Sequence, residues 1–125
     1  MNGYNRITML GNVASDPEFK SDKWQILNFR LACNQKNKKK DGSVFEETCF
    51  IDVSMFGFKA QEFATQLQKG MQVLVDGRLK LDSWKTQEGE SRSKHKILAD
   101  NIILEAEPVE ENGLRDKIED TFGGF

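Results

Sequence analysis

Phe45-Glu46-Glu47-Thr48-Cys49-Phe50-Ile51-Asp52-Val53-Ser54-Met55-Phe56 is the stretch on which the fold turns. Read as a pleated strand, it sends Cys49, Ile51, Val53 and Met55 to one side and Phe50, Asp52, Ser54 and Phe56 to the other. The first set is apolar and suits a core. The second mixes two large rings with two small polar groups, a poor core face. Phe50 and Phe56 are therefore candidates for rings left on the outside of a sheet.

Upstream, Leu27, Phe29, Leu31 and Cys33 alternate with Asn28, Arg30 and Ala32, a second strand with one buried face. Between the two strands, Asn34 to Ser43 is polar, carries Lys36, Lys38, Lys39 and Lys40, and ends in the turn pair Asp41-Gly42, so it reads as a basic hairpin tip. Nearer the N-terminus, Tyr4 to Val13 reads as a strand with Ile7, Met9 and Val13 on one face and Gly11 marking a bulge or close approach. Ala14 to Asp22, with Pro17 after Asp16, reads as a turn region.

Downstream, Ala60, Phe63, Ala64 and Leu67 fall at helical spacing, with Gly70 placed to end the helix after Lys69. A fourth strand spans Gln72 to Trp84, with Val73, Val75, Leu79 and Leu81 inward and a bend at Gly77. Thr86 to Ser91 is a second hairpin loop, and Arg92 to Leu104 a fifth strand. Past Pro108 apolar periodicity is lost, and the sequence predicts a flexible tail. Five strands with one helix between the third and fourth is the order expected of the OB-fold, an all-β, partly open barrel that binds oligonucleotides across its strand 2–3 face, although other small barrels produce a similar string.

Composition narrows the function. The 125 residues suit one domain, 38% hydrophobic and 30% charged, with a net charge of −2. No run approaches the ~18 apolar residues of a membrane span, and the N-terminus lacks a secretory apolar stretch, so no membrane association is expected. Cys33 and Cys49 make no disulfide framework and no paired Cys/His spacing for zinc, which fits a reducing cytoplasm. In the registers above both thiols point inward, as small buried side chains. His95 stands alone among lysines, no phosphate-cradling glycine motif occurs, and Glu46, Glu47, Glu88 and Glu90 read as solvated hairpin ends. The sequence predicts no catalytic site, no metal and no cofactor. Trp24 suits core or surface alike.

The charge is uneven: from Glu105 onward seven acids face Arg115 and Lys117, a net of −5, leaving the first 104 residues at +3. A single-strand binder needs cations that track phosphates and flat rings that stack on bases without reading them. Phe50, Phe56 and Trp84 supply rings. Arg30, Lys36, Lys38, Lys39, Lys40, Lys80 and Lys85 supply cations. Any single lysine is explained by solubility; rings and lysines together on adjacent strands favour binding.

These residues carry a resemblance. Asn5-Arg6-Ile7-Thr8-Met9-Leu10-Gly11-Asn12-Val13-Ala14-Ser15-Asp16-Pro17-Glu18 resembles the first strand and turn of bacterial-type single-stranded DNA-binding proteins (SSB). Asn28-Phe29-Arg30-Leu31-Ala32, the Phe50 to Gly57 strand, Leu67-Gln68-Lys69-Gly70 and Val75-Asp76-Gly77-Arg78-Leu79 extend it in order and spacing over about residues 3–105. The resemblance implies sequence-independent binding and protection of single-stranded DNA in replication, recombination and repair, with Phe50, Phe56 and Trp84 at base-stacking positions. It implies residues 1–105 as the DNA-binding domain and residues 106–125 as an acidic tail for replication and repair proteins, with Glu119, Asp120, Phe122 and Phe125 as its contact residues. It further implies a homotetramer in a bacterial cytoplasm or nucleoid, or in a phage-infected cell. The pattern departs from the family twice: Asn37 stands about where a further stacking ring belongs, which shifts weight to charge or to Trp24, and Gly123-Gly124 precedes Phe125 in place of an aliphatic-proline pair. The alternative is an OB-fold primosome-like adaptor that binds mainly replication proteins. An RNA-binding or nucleolytic role has no supporting residues.

Overall fold

The polar linker between the two central strands turns out to be strand itself. In the computed structural model, which describes residues 2–106, the elements run β1 (Ile7–Val13), β2 (Glu18–Ser21), β3 (Gln25–Lys38), β4 (Val44–Phe56), α1 (Phe58–Ala64), β5 (Gln72–Lys85) and β6 (Ser91–Ala106). The β3–β4 ladder extends unbroken from Ile26 opposite Phe56 to Lys38 opposite Val44. Polarity over Asn34–Lys38 signals exposure on both faces, not loss of pairing. The tip closes where Lys39 N donates to Ser43 O (2.8 Å). There Asp41 Oδ1 accepts from the Ser43 hydroxyl (2.6 Å) and amide (2.9 Å), which holds its carboxyl below the usual range.

Five strands close into a barrel in the order β1-β5-β6-β4-β3, with β1 returning to β3 at Asn12–Ala32 and Val13–Leu31. Pairing is antiparallel except β4 with β6, which run parallel over Asp52–Ser54 and Lys96–Leu98. This is the all-β OB-fold that the element order predicts, with α1 between the third and fourth barrel strands. Its core gathers Val13, Leu27, Phe29, Leu31, Val53, Met55, Val73, Val75, Ile97 and Ile102. Gly11 sits where β1 leaves β5 for β3, and a Cβ there would run into the Ala32 carbonyl. Gly77 lies at a register shift in β5, and its Cβ would meet the Leu98 carbonyl.

Several expectations are corrected. Residues 14–22 are not all turn: β2 pairs with β3 through Ser21–Gln25 to Glu18–Asn28, a four-residue exposed strand with no apolar alternation to reveal it. The helix stops at Ala64, and Leu67 is buried in the turn beyond it, its amide donating to Phe63 O (2.9 Å). Leu79 and Leu81 face the core side but are 37% and 52% exposed, because β5 and β6 outrun the barrel as a second arm. Cys33 is half-buried and Cys49 exposed for the same reason, not enclosed as their register alone suggested. The tail positions Glu119, Asp120, Phe122 and Phe125 lie outside the described residues. Among those described, no helix is long and apolar enough to cross a membrane.

Gly11→Ala is expected to lower stability by about 1–3 kcal/mol through overpacking at the barrel seam, read as a fall in the urea midpoint with an unchanged m-value.

Candidate nucleic-acid interface

Side-chain alternation in a ladder without a bulge assigns every even-numbered residue of β3 and β4 to one face. Arg30 stands opposite Asp52, Ala32 opposite Phe50, Asn34 opposite Thr48, Lys36 opposite Glu46 and Ile26 opposite Phe56. The Arg30 guanidinium lies 5.1 Å from the centre of the Phe50 ring, which confirms the shared side. Ser54, the one buried polar group of this row, donates its hydroxyl to Asn28 Oδ1 (2.6 Å) and is thereby satisfied.

The β5–β6 arm joins the same face through the parallel β4–β6 pairing. Asp82 is opposite Lys94, Lys80 opposite Lys96 and Trp84 opposite Arg92. Lys94 ion-pairs with Asp52, and Arg30 Nε approaches the same carboxylate at 4.0 Å. Lys96 reaches Asp82 at 2.9 Å and Lys80 reaches it at 4.0 Å. The Lys96 contact holds the Asp82 carboxyl below its usual range, so this pair weakens only as pH falls through and below that range. Together these groups line a shallow groove of about 370 Å³ between Asn28, Arg30, Asp52, Ser54, Asp82, Lys94 and Lys96.

Phe50, Phe56 and Trp84 lie 54%, 47% and 47% exposed around that groove. Phe50 and Phe56 are six residues apart on one strand, about 20 Å at ~3.3 Å per residue, so they hold separate ligand units with Arg30, Asp52 and Lys94 between. The structure thus brings together Phe50, Phe56, Trp84, Arg30, Lys36, Lys38 and Lys80. It separates the others. Lys39 lies over the Phe45 ring (5.5 Å), Lys40 is at the turn, and Lys85 alternates to the opposite side from Trp84. Asn37 is opposite Phe45 on the reverse side, away from Phe50.

Sequence reasoning missed Arg92, Lys94 and Lys96 as members of this face. The signal was there: the hairpin register fixes Arg92 opposite Trp84, and alternation carries Lys94 and Lys96 along. It also missed a cluster at the far end of the row. Gly57 N donates to Gln25 O (3.0 Å), and Gln25 Nε2 donates to Gln61 Oε1 (3.1 Å). These bonds join the turn that carries the exposed Trp24 to the start of α1, which carries the exposed Phe58, just past Phe56. Among the described residues no group of three or more His, Cys, Asp or Glu is arranged to hold a metal.

A model of the single-strand binding protein family matches residues 4–104. The single-stranded DNA-binding protein of Helicobacter hepaticus is 40% identical over 108 residues, covering 84% of this chain and 64% of that protein. Its counterpart from Wolinella succinogenes is 35% identical over 113 residues, covering 88% and 70%. The chain thus spans about two thirds of the length of these relatives. A small single-stranded DNA-binding protein from Streptomyces coelicolor superposes with a TM-score of 0.68 at 29% identity, covering 84% of this chain and 96% of that one. An SSB from Plasmodium falciparum, solved in complex with single-stranded DNA, shares the fold at a TM-score of 0.78 and 19% identity, covering 85% and 98%.

Asp52 and Asp82 are the groove carboxylates that sit among its cations, with Asp16 and Glu18 also on its wall, and all of them oppose a polyanion seated there. Asp52→Asn is expected to tighten oligo-dT binding about threefold at low salt, the ~0.7 kcal/mol of one charge 6 Å away in water. The melting temperature should barely move, since exposed ion pairs contribute little; fluorescence titration and calorimetry check the two halves.

Proposed function

This chain belongs to the single-strand binding protein family, and we propose that its barrel coats and protects single-stranded DNA without sequence preference, in replication, recombination and repair. The observation that carries this reading is the even-numbered row: three half-exposed rings set among cations on one continuous face. Every base has a π-face, so rings that stack accept any sequence. Bases splayed onto the separate rings of Phe50, Phe56 and Trp84 are held out of the stacked spacing that a duplex requires, and duplex re-formation is opposed.

The cations act on the phosphates. Arg30, Lys80 and Lys94 rest against Asp52 and Asp82 in surface ion pairs, with the half-buried Lys96 beside them on Asp82. Such pairs contribute ~0–1 kcal/mol, so phosphates displace the carboxylates at small cost. Lys36 and Lys38 extend the cationic row along the β3–β4 arm, and Lys39, Lys40 and Lys85 add charge at the two tips.

Residues 1–105 form the DNA-binding unit in this reading, and residues 106–125 the acidic segment that recruits replication and repair proteins. Glu119, Asp120, Phe122 and Phe125 combine carboxylates with aromatic anchors, a chemistry suited to a basic-rimmed apolar pocket. The homotetramer finds support on the barrel's outer wall. There Leu10, Leu74 and Ile103 align across β1, β5 and β6, and β1 offers an open edge over Ile7–Leu10 among the described residues.

Trp84→Ala and Phe56→Ala are each expected to weaken oligo-dT binding by about 1–3 kcal/mol with folding intact, and the wild-type log–log salt slope to be about −0.7 per phosphate neutralised. Weak, salt-insensitive binding together with tight capture of replication proteins would transfer the assignment to the adaptor reading. Ile103→Glu is expected to shift the sedimentation coefficient to a smaller species, and an unchanged coefficient would remove this wall from the assembly.

A further inference from the structure

Cys33 and Cys49 are direct cross-strand partners at the root of the β3–β4 arm. Both side chains point to the reverse side from Phe50, two rungs beyond buried Leu31 and its partner Ile51 and on the same side as they are. The hydrogen-bond phase of the ladder follows from its two ends. Gly57 N donates to Gln25 O, and Lys39 N donates to Ser43 O, both in the same register as the cysteines and an even number of residues away. Hydrogen-bonded rungs alternate, so Cys33–Cys49 is one of them, with Cα atoms ~5.5 Å apart. That separation lies within the ~4.4–6.8 Å range of disulfides. Cβ atoms in facing pairs lie ~4.5–5.5 Å apart, against ~3.5–4.5 Å in a disulfide, so closing the bond draws the strands together. A bond formed under such strain is readily reduced.

The two thiols differ in setting. Cys49 is exposed and open to a reagent from solvent, whereas Cys33 is half-buried beside it. Burial, and then the neighbouring Cys49, push the Cys33 thiol up. That places the first attack on Cys49 and leaves Cys33 to resolve it.

We propose that Cys33 and Cys49 form a reversible dithiol–disulfide couple that exchanges with low-molecular-weight disulfides and thiols of the glutathione class. The Cys49 thiolate attacks one sulfur of the small disulfide, forming a mixed disulfide and releasing one small thiol. The Cys33 thiolate then attacks Cys49 Sγ, forming the cross-strand bond and expelling the second small thiol. Two protein thiols give up two electrons and two protons, and the small disulfide takes up both pairs. The couple does not rest on the nucleic-acid reading, since it needs only the two thiols on the reverse side of the arm.

The basic tip supplies the assay. Trypsin cuts after Arg30, Lys36, Lys40 and Lys59, placing Cys33 in the peptide of residues 31–36 and Cys49 in that of residues 41–59. Full-length protein at low concentration, equilibrated with oxidised glutathione, alkylated and digested, is expected to yield these two peptides joined, with the intact protein still one chain in mass. Excess reduced glutathione should separate them, and Cys33→Ala or Cys49→Ser should abolish the joined species. Because Cys49 is exposed, the second variant keeps the fold. Two free thiols throughout, a glutathione adduct stable on Cys49, or a Cys49–Cys49 link between chains would each overturn the proposal.

Discussion

Everything on the working face depends on a β3–β4 ladder that runs from Ile26–Phe56 to Lys38–Val44 without a register shift. A one-residue slip anywhere in it would exchange the two faces, sending Phe50 and Phe56 inward and Val53 and Met55 into water. The register is fixed at the barrel end, where Leu27, Phe29, Leu31, Val53 and Met55 are buried. Beyond Leu31 the arm has little core of its own. It keeps its register through backbone pairing, a tip closed by Asp41 and Ser43, and cross-strand partners such as Thr48 donating to Asn34 (2.7 Å). Burial at one end thus places lysines well outside the barrel.

The charges on that face are arranged for exchange. Asp52 and Asp82 each gather two cations, and with Asp16 and Glu18 on the wall the groove is close to neutral, while all its cations but the half-buried Lys96 remain on the surface. A deeply buried ion pair would resist such exchange, because separating it strands a charge in a poor solvent. Exposed pairs carry no such penalty. The rings follow the same logic: half-exposed aromatics leave apolar area to be covered only when a flat partner arrives.

Much of this was legible in the sequence, and the failures share a cause. Alternation predicts which side a residue faces, and it placed Phe50 and Phe56 outside and Val53 and Met55 within. It does not predict how far along a strand the opposing layer continues. Leu79, Leu81 and Cys49 were therefore assigned to the correct side and the wrong depth. Lys39 and Lys85 show the converse: proximity in sequence to the hairpin tips suggested the working face, while parity puts them on the other. Arg92, Lys94 and Lys96 have no apolar alternation to mark them, and only the hairpin register that sets Arg92 opposite Trp84 shows which face they share. Nothing local marks β2, whose four exposed residues pair by backbone alone.

The two faces of the arm are not independent, because Cys49 and Phe50 share a peptide unit. Drawing Cys33 and Cys49 together on one side alters strand separation at the adjacent Ala32–Phe50 rung on the other. Any change that cross-linking makes in single-strand affinity must, by thermodynamic reciprocity, appear as an equal change in the thiol–disulfide equilibrium when DNA is bound. A stiffened root lowers the ordering cost of the lysine arm and favours binding, whereas a displaced Phe50 ring loses stacking and opposes it. The balance is set by how strand closure is absorbed. Beneath the rung, Leu31 is fully buried and resists movement, while Asn34 to Lys38 beyond it have no core to hold them. Closure is therefore taken up on the arm side, the Phe50 ring keeps its place, and the cross-link acts mainly by ordering the cationic tip.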